Sequence, residues 1–218
     1  MHLAKPVLTI LLVLACSVRV AKATDESQPY GRLCLSLIDA SGTETVYEPG
    51  ANPTPGATIA IHADANAECG VLIAAFNEKG GALTNGWRPQ WTQLGQWEEQ
   101  QLPKAPAVWP WAKPAEPFSF WVLFIDPKSN DAIQIKKLVF AIQNPSFGKL
   151  DLESQTSKLH TLIEHAIAGQ NRHLAPLAPA EAGGIMRGGN FVWRDFAHTV
   201  NFTPDAPGVL IFAGTVAK

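Results

Sequence analysis

The segment PFSFWVLFID, residues 117 to 126, constrains the fold more than any other part of the chain. From Phe118 to Ile125 nearly every side chain is large and apolar. A run of this length is typical of a strand, and an extended strand of this composition has to bury both of its faces. We therefore expect this segment to be a strand covered on both sides.

Proline and glycine divide the rest of the chain into short pieces. The 218 residues include 17 prolines and 17 glycines, which argues against a helical bundle and favours strands joined by turns. Further strands are predicted at residues 32–39, 45–47, 57–63, 69–76, 97–103, 132–142, 190–202 and 209–216. The pattern predicts a mainly β protein, an antiparallel β-sandwich of seven to nine strands.

One segment has helical periodicity. Apolar residues recur there at helical spacing and form one stripe, made of Leu159, Leu162, Ile163, Ala166 and Ile167. Asp151 or Ser154 can cap the start, and Gly169 stands where the helix would stop. The sequence therefore predicts one packed α-helix at about residues 152–168.

The first 23 residues have the features of a secretory signal peptide. MHLAK is positively charged, PVLTILLVLACSV is apolar, and Ala21-Lys22-Ala23 matches a small-x-small cleavage site. A membrane span needs roughly 18 or more apolar residues, and Arg19 interrupts this run too early. We predict a signal peptide at 1–23, a flexible leader at 24–31 and a single domain at 32–218.

A second route of export is open. The sequence Val13-Leu14-Ala15-Cys16 resembles the lipobox of bacterial lipoproteins, in which the cysteine is lipidated. Cleavage at 1–23 predicts a periplasmic or extracellular protein, whereas lipidation at Cys16 predicts an outer-membrane lipoprotein. Contact with a membrane is expected only in the second case.

The charge of the mature chain argues against nucleic acid as a partner. Removing residues 1–23 takes away three of the 17 basic residues and none of the 19 acidic ones, which leaves 14 against 19 and a net charge of −5. No basic run with interleaved aromatic residues remains, so a nucleic-acid interface is not expected. The expected partner is an envelope protein or a glycan.

Cys34 and Cys69 remain after either cleavage, and both lie in apolar segments that are predicted to be strands. In an oxidising compartment two such cysteines pair readily. A disulfide that closes the loop between them would stabilise the fold by about 4 kcal/mol. The sequence favours a disulfide. The alternative is two buried free thiols that pack as small hydrophobic side chains.

Six of the seven tryptophans lie between Trp87 and Trp121, mostly in a tryptophan-rich loop at 84–116. Packing is one explanation, because an indole buries a large apolar surface. Trp121 lies in the most apolar strand and is expected in the core, and Trp97 is expected to pack its strand against the sheet.

A ligand-binding face is the other explanation for these tryptophans. Trp109 and Trp111 flank Pro110 and would share one face of an extended chain, and Trp87 and Trp91 would share another. Such pairs are typical of platforms for sugar rings. These four tryptophans are the candidate ligand-binding residues.

Several motifs between residues 47 and 143 resemble a known family. They are Tyr47-x-Pro49-Gly50, the turn Pro55-Gly56, the strands ATIAIHADA and CGVLIAAF with the turn NEKGG, and leucine–proline pairs that Leu83, Pro89 and Leu102-Pro103 could supply. The region resembles a bacterial family of secreted or envelope β-sandwich domains of unknown function, often appended to kinases and other envelope proteins. The resemblance implies an exported accessory domain without known catalytic residues. The chain departs from the family at Cys69, where an aromatic residue is commoner, and in its tryptophan-rich insertion.

Motifs for catalysis or metal binding are incomplete in this sequence. His160 and His165 are five residues apart, whereas zinc helices place two histidines four apart. His62 and Asp64 share a strand face but have no third ligand nearby in sequence. The sequence has no G-x-S-x-G nucleophile elbow to complete a triad with Asp195 and His198 near Arg194. We predict no catalytic residue, no metal site and no cofactor.

The segment 185–196, IMRGGNFVWRDF, predicts either a hairpin turn or a partner-binding loop. Taken together, the sequence predicts an exported bacterial envelope accessory domain that binds a protein or a ligand without catalysis. One alternative is a carbohydrate-binding module that uses the four candidate tryptophans. A second alternative is an unrecognised periplasmic hydrolase.

Overall fold

The computed structural model describes residues 28–47, 56–103, 109–110, 116–144, 151–168, 173–174 and 193–214. Within these ranges two β-sheets face each other across an apolar core, and two helices cover the outer side of one sheet. The predicted mainly β, antiparallel sandwich with a packed helix is confirmed. The layers follow the order first sheet, second sheet, helices.

The first sheet is built on two long antiparallel strands, β1 (Tyr30–Ile38) and β3 (Thr58–Ala65). On the side of β1 away from β3, the short strands β2 (Glu44–Val46) and β10 (His198–Asn201) pair with β1. On the opposite side of the sheet, β6 (Gln100–Leu102) and β7 (Trp109–Pro110) pair with β3. All of these pairings are antiparallel. The sheet is therefore four strands wide, with two short strands following one another along each edge.

The second sheet contains, in spatial order, β5 (Gln90–Leu94), β4 (Cys69–Asn77), β8 (Phe118–Ile125), β11 (Gly208–Gly214) and β9 (His173–Leu174). Only β9 runs parallel to its neighbour. β8 is the central strand, and all but one of its residues are buried, as its sequence predicted. With β7 and β9 set aside, at two residues each, the described part of the chain contains nine strands, within the predicted seven to nine.

The core between the sheets is made of alternate residues of the facing strands. Leu33 and Leu35 of β1 point inward and meet Val122 and Phe124 of β8 in one buried cluster. Gly31 fits beneath the Phe124 ring, since a Cβ at that position would lie 2.1 Å from the ring atom Cδ1. The two sheets therefore pack closely at the point where β1 begins.

The helices are α1 (Asn130–Gln143) and α2 (Leu152–Ala166). The predicted helix corresponds to α2, and the Asp151 carboxylate caps it by accepting a hydrogen bond from the Ser154 N–H. Both helices pack on the outer side of the second sheet, where their apolar residues join those of β4, β8 and β11. This layer is the reason that β8 is buried on both faces.

The strand predicted at 132–142 is wrong, because that segment forms α1. Its buried residues are Ala132, Ile135, Val139 and Ile142, a helical and not an alternating pattern. Ser129 is the N-cap of α1, and its hydroxyl accepts a hydrogen bond from the Ala132 N–H. The cap fixes the start of a helix, although the residues themselves are rich in β-branched and aromatic types.

Several predicted boundaries differ from the structure. β1 begins at Tyr30, inside the predicted leader, and the strand predicted at 97–103 is reduced to β6. Within the predicted strand at 190–202, the described residues form a 3₁₀ turn, Trp193–Phe196, followed by β10. The region 84–116 was expected to be a loop, yet it contains β5, β6 and β7.

Among the described residues, neither helix is long and apolar enough to cross a membrane. The predicted signal peptide, Cys16 and Trp111 lie outside the described residues.

Candidate functional site

The outer face of the first sheet carries most of the ionised side chains that contact one another. Because Leu33 and Leu35 point into the core, the alternate residues Arg32, Cys34 and Ser36 point outward. The register places His62 and Asp64 of β3 beside them. We call the connected polar group on this face the outer-face network; it consists of Arg32, Ser36, Glu44, His62, Asp64, Glu99, Trp193 and Arg194.

The centre of the outer-face network is a two-pronged ion pair between Arg32 and Asp64. Arg32 donates from Nε to Oδ1 at 2.8 Å and from a terminal nitrogen to Oδ2 at 2.5 Å. Asp64 is only 2% exposed, and these hydrogen bonds raise the pKa of the Arg32 guanidinium. Arg194 approaches the same carboxylate at 3.5 Å and pairs with Glu99 at 2.7 Å. A buried carboxylate is thus held between two arginines.

His62 connects this centre to the other end of the outer-face network. Its Nε2 lies 2.5 Å from a Glu44 oxygen, which also accepts a hydrogen bond from the Ser36 hydroxyl. The imidazole stacks on the Trp193 ring at 5.9 Å with 15° between the planes, and the Trp193 indole N–H donates to Glu99 at 2.6 Å. His62 and Asp64 do share a face, but their contacts are with different partners.

The disulfide predicted between Cys34 and Cys69 is not formed, and both cysteines are buried free thiols. The side chains lie on opposite sides of the first sheet, since Cys34 points to its outer face and Cys69 belongs to the core between the sheets. Burial raises the pKa of each thiol to about 12. Cys34 lies opposite His62 in the register, yet its thiol remains protonated at neutral pH and is a poor nucleophile.

The candidate tryptophans Trp87 and Trp91 do not share a face. Trp87 packs edge-on against Phe120 at 5.0 Å beside the core between the sheets. Trp91, in β5, packs on the helix side of the second sheet, and a Cβ at Gly70 would lie 2.2 Å from its ring. The predicted shared face is wrong because Trp87 precedes β5 and packs against the core between the sheets, whereas Trp91 within β5 packs against the helix-side cluster. Trp109 lies in β7, and its side chain is outside the described residues.

Trp121 is buried, as predicted, whereas Trp97 is not packed against the sheet. Trp97 is 59% exposed, the highest value for a large hydrophobic residue in the described ranges. Its φ angle is +59°, and among the described residues it is the one non-glycine residue with a positive φ. Sequence reasoning missed this residue as a candidate, since nothing in GQWEEQ separates an exposed indole from a packed one.

The remaining histidines lie at separate places. The His160 ring packs against Phe76 at 4.8 Å and against Trp121 at 5.2 Å. His198 lies edge-on to Phe212, and burial lowers its pKa. Within the described ranges, no three histidine, cysteine, aspartate or glutamate side chains come together in a way that could hold a metal ion.

Comparison of the chain with models of protein families, with curated proteins and with solved structures finds no match. The resemblance seen over residues 47–143 therefore stays a prediction.

Proposed function

We propose that this chain is an exported bacterial envelope accessory domain that binds a protein or ligand on the outer face of its first sheet, without catalysis. The observation that carries the proposal is the asymmetry of the sandwich. Helices α1 and α2 cover the second sheet through an apolar cluster, whereas the described part of the chain places no helix layer over the first sheet. The outer face of the first sheet instead meets the 3₁₀ turn Trp193–Phe196 and holds the outer-face network, in which Ser36 and Asp64 are buried while Glu99 and Arg194 are exposed.

The outer-face network is better suited to recognition than to reaction. Its two arginines and three carboxylates are engaged with one another or with hydrogen-bonding neighbours, which fixes their side chains before a partner arrives. Fixed polar groups lose little conformational entropy when they contact a partner. The protonated Cys34 thiol beside them supplies no nucleophile. These features favour binding.

Site-specific photo-crosslinking in living cells tests this proposal. A photoreactive amino acid is placed at Thr199, an exposed residue of β10 whose register partner is Arg32, and in a matched variant at Lys136, exposed on α1. Crosslinked products are expected from Thr199 and not from Lys136, in the periplasmic or membrane fraction. Products from Lys136 alone, a cytoplasmic location, or turnover of a substrate by the purified protein would each refute the proposal.

A carbohydrate-binding module is the second candidate, and the exposure of Trp97 favours it. Trp97, whose exposure favours carbohydrate binding, is not one of the four tryptophans that the sequence suggested as ligand-binding residues. Trp87 and Trp91 are both partly buried against apolar clusters, whereas Trp97 offers most of its surface to solvent.

A further inference from the structure

We propose that Trp97, together with Tyr30 and Arg32, forms a stacking platform for a sugar ring of a neutral polysaccharide. We call these three residues the Trp97 platform. The inference rests on the proposed binding function and names its ligand class. It extends the outer-face network at the end of the first sheet, where β1 begins and β3 ends.

The exposure of Trp97 is the first argument. An indole that is 59% exposed leaves a large apolar surface in water, although a buried tryptophan would add strongly to stability. Among the residues that the structure describes, Phe140 at 55% and Ile133 at 44%, both on α1, are the other exposed large hydrophobic residues. Trp97 differs from them because the Tyr30 ring meets it edge-on and the Arg32 guanidinium lies against that ring. Aromatic surface with a few placed polar groups is the usual composition of a small-ligand site.

The backbone at Trp97 is the second argument. A left-handed conformation is rare for a bulky residue and costs stability, and strain of this kind concentrates at functional sites. The conformation is held by a hydrogen bond from the Trp97 N–H to the Ala65 carbonyl at 2.7 Å. The preceding turn is closed by the Glu98 carboxylate, which accepts from the Gly95 N–H at 2.8 Å. The backbone that carries the indole is therefore held in place before a ligand binds.

The neighbours of Trp97 supply the polar contacts that a sugar needs. The Tyr30 ring meets the indole edge-on at 6.2 Å, and the Arg32 guanidinium lies 5.7 Å from the centre of the Tyr30 ring. Asp64 holds that guanidinium in place. A sugar ring presents an apolar C–H face for stacking and hydroxyl groups around its rim, which match an indole bordered by hydrogen-bonding groups.

The charges around the Trp97 platform favour a neutral ligand. Arg32 and Arg194 are already paired with Asp64 and Glu99, and Glu98 adds a further exposed carboxylate beside the indole. These groups carry two positive and three negative charges, so a polyanion would be repelled by the net negative charge, and a polycation would compete with the two arginines. A neutral hexose or N-acetylhexosamine polymer encounters neither penalty.

Retention on insoluble chitin and cellulose, and affinity electrophoresis in soluble β-glucan, test the platform with purified protein. The parent is expected to bind at least one of these three polymers, and Trp97→Ala is expected to weaken that binding by about tenfold or more. Trp97→Tyr keeps a stacking ring and is expected to retain part of the binding. Phe140→Ala, which removes an equally exposed ring from α1, is the matched control and is expected to bind like the parent.

Thermal melting separates stacking from packing. Trp97→Gly removes the ring and relieves the left-handed strain, so its melting temperature is expected to equal or exceed that of the parent while glycan binding is lost. A lower melting temperature for this variant, or unchanged binding by Trp97→Ala, overturns the inference. No retention on any of the three polymers, together with Thr199 crosslinks to a protein, overturns the sugar platform and leaves the proposed binding function standing.

Discussion

Loss of Arg32 is expected to destabilise the protein more than loss of Asp64, although both changes break the same ion pair. The carboxylate is the buried partner, at 2% exposure, whereas the Arg32 side chain is 27% exposed. Arg32→Met keeps the apolar stem of the side chain but leaves the buried Asp64 carboxylate without its main partner. Asp64→Asn removes the buried charge and leaves an arginine that can reach water.

The magnitudes follow from this difference in burial. Stranding a fully buried charge costs about 3–5 kcal/mol, and Arg194 at 3.5 Å offsets part of that cost, so we expect about 3 kcal/mol for Arg32→Met. For Asp64→Asn we expect about 1–2 kcal/mol, the value of weakened hydrogen bonds to a charged group. The double variant is expected to cost about 2 kcal/mol less than the sum of the single variants.

Urea unfolding followed by tryptophan fluorescence measures these differences. With a slope of about 2 kcal/mol per molar urea, Arg32→Met lowers the midpoint by about 1.5 M and Asp64→Asn by less than about 1 M. The slopes themselves are expected to stay constant. An equal or larger effect of Asp64→Asn would contradict the idea that the carboxylate is the costlier charge to leave alone. Strict additivity in the double variant would show that the two side chains do not stabilise each other, and either result would refute the reasoning.

The raised thiol pKa of Cys34 and Cys69 predicts that neither reacts with a thiol reagent at pH 8 until urea is added. Because the unfolded thiols ionise above about pH 9 and the folded ones only near pH 12, the free energy of unfolding is expected to fall as pH rises between these values, and less steeply in a double alanine variant. For His160→Ala we expect a loss of about 1–2 kcal/mol in urea unfolding, since the imidazole packs edge-on against two aromatic rings. His165→Ala, at an exposed position of the same helix, is the control, and an equal loss there would contradict this assignment.

The sequence predicted the sandwich because burial on both faces of β8 left few alternatives. The error at α1 came from composition, since its isoleucines and phenylalanine favour strands while Ser129 and the spacing of Ala132, Ile135 and Val139 favour a helix. The N-cap residue Ser129 therefore did indicate the helix in the sequence. Periodicity and capping together outweigh the propensity of single residues.

The candidate site was far less predictable. Arg32 and Asp64 are 32 residues apart, and Arg194 and Glu99 are 95 apart, so no local pattern indicates that they meet. The prediction of a disulfide between Cys34 and Cys69 was wrong for a related reason. The direction of a side chain in a strand depends on the register of the strand, and the sequence does not show the register. The backbone of Trp97 is held by a carbonyl of β3, which is also a long-range contact.

The position of β11 next to β8 has a consequence for how the nascent chain is protected. Both helices lie between these two strands along the chain, so the middle of the second sheet keeps an unpaired, apolar edge until residues 208–214 emerge. An open edge of this kind is a template for aggregation. If the chain is exported as proposed, its most apolar strand crosses the membrane before its pairing partner β11 is available. A chaperone that binds near residues 118–125 would protect the chain until β11 pairs with β8.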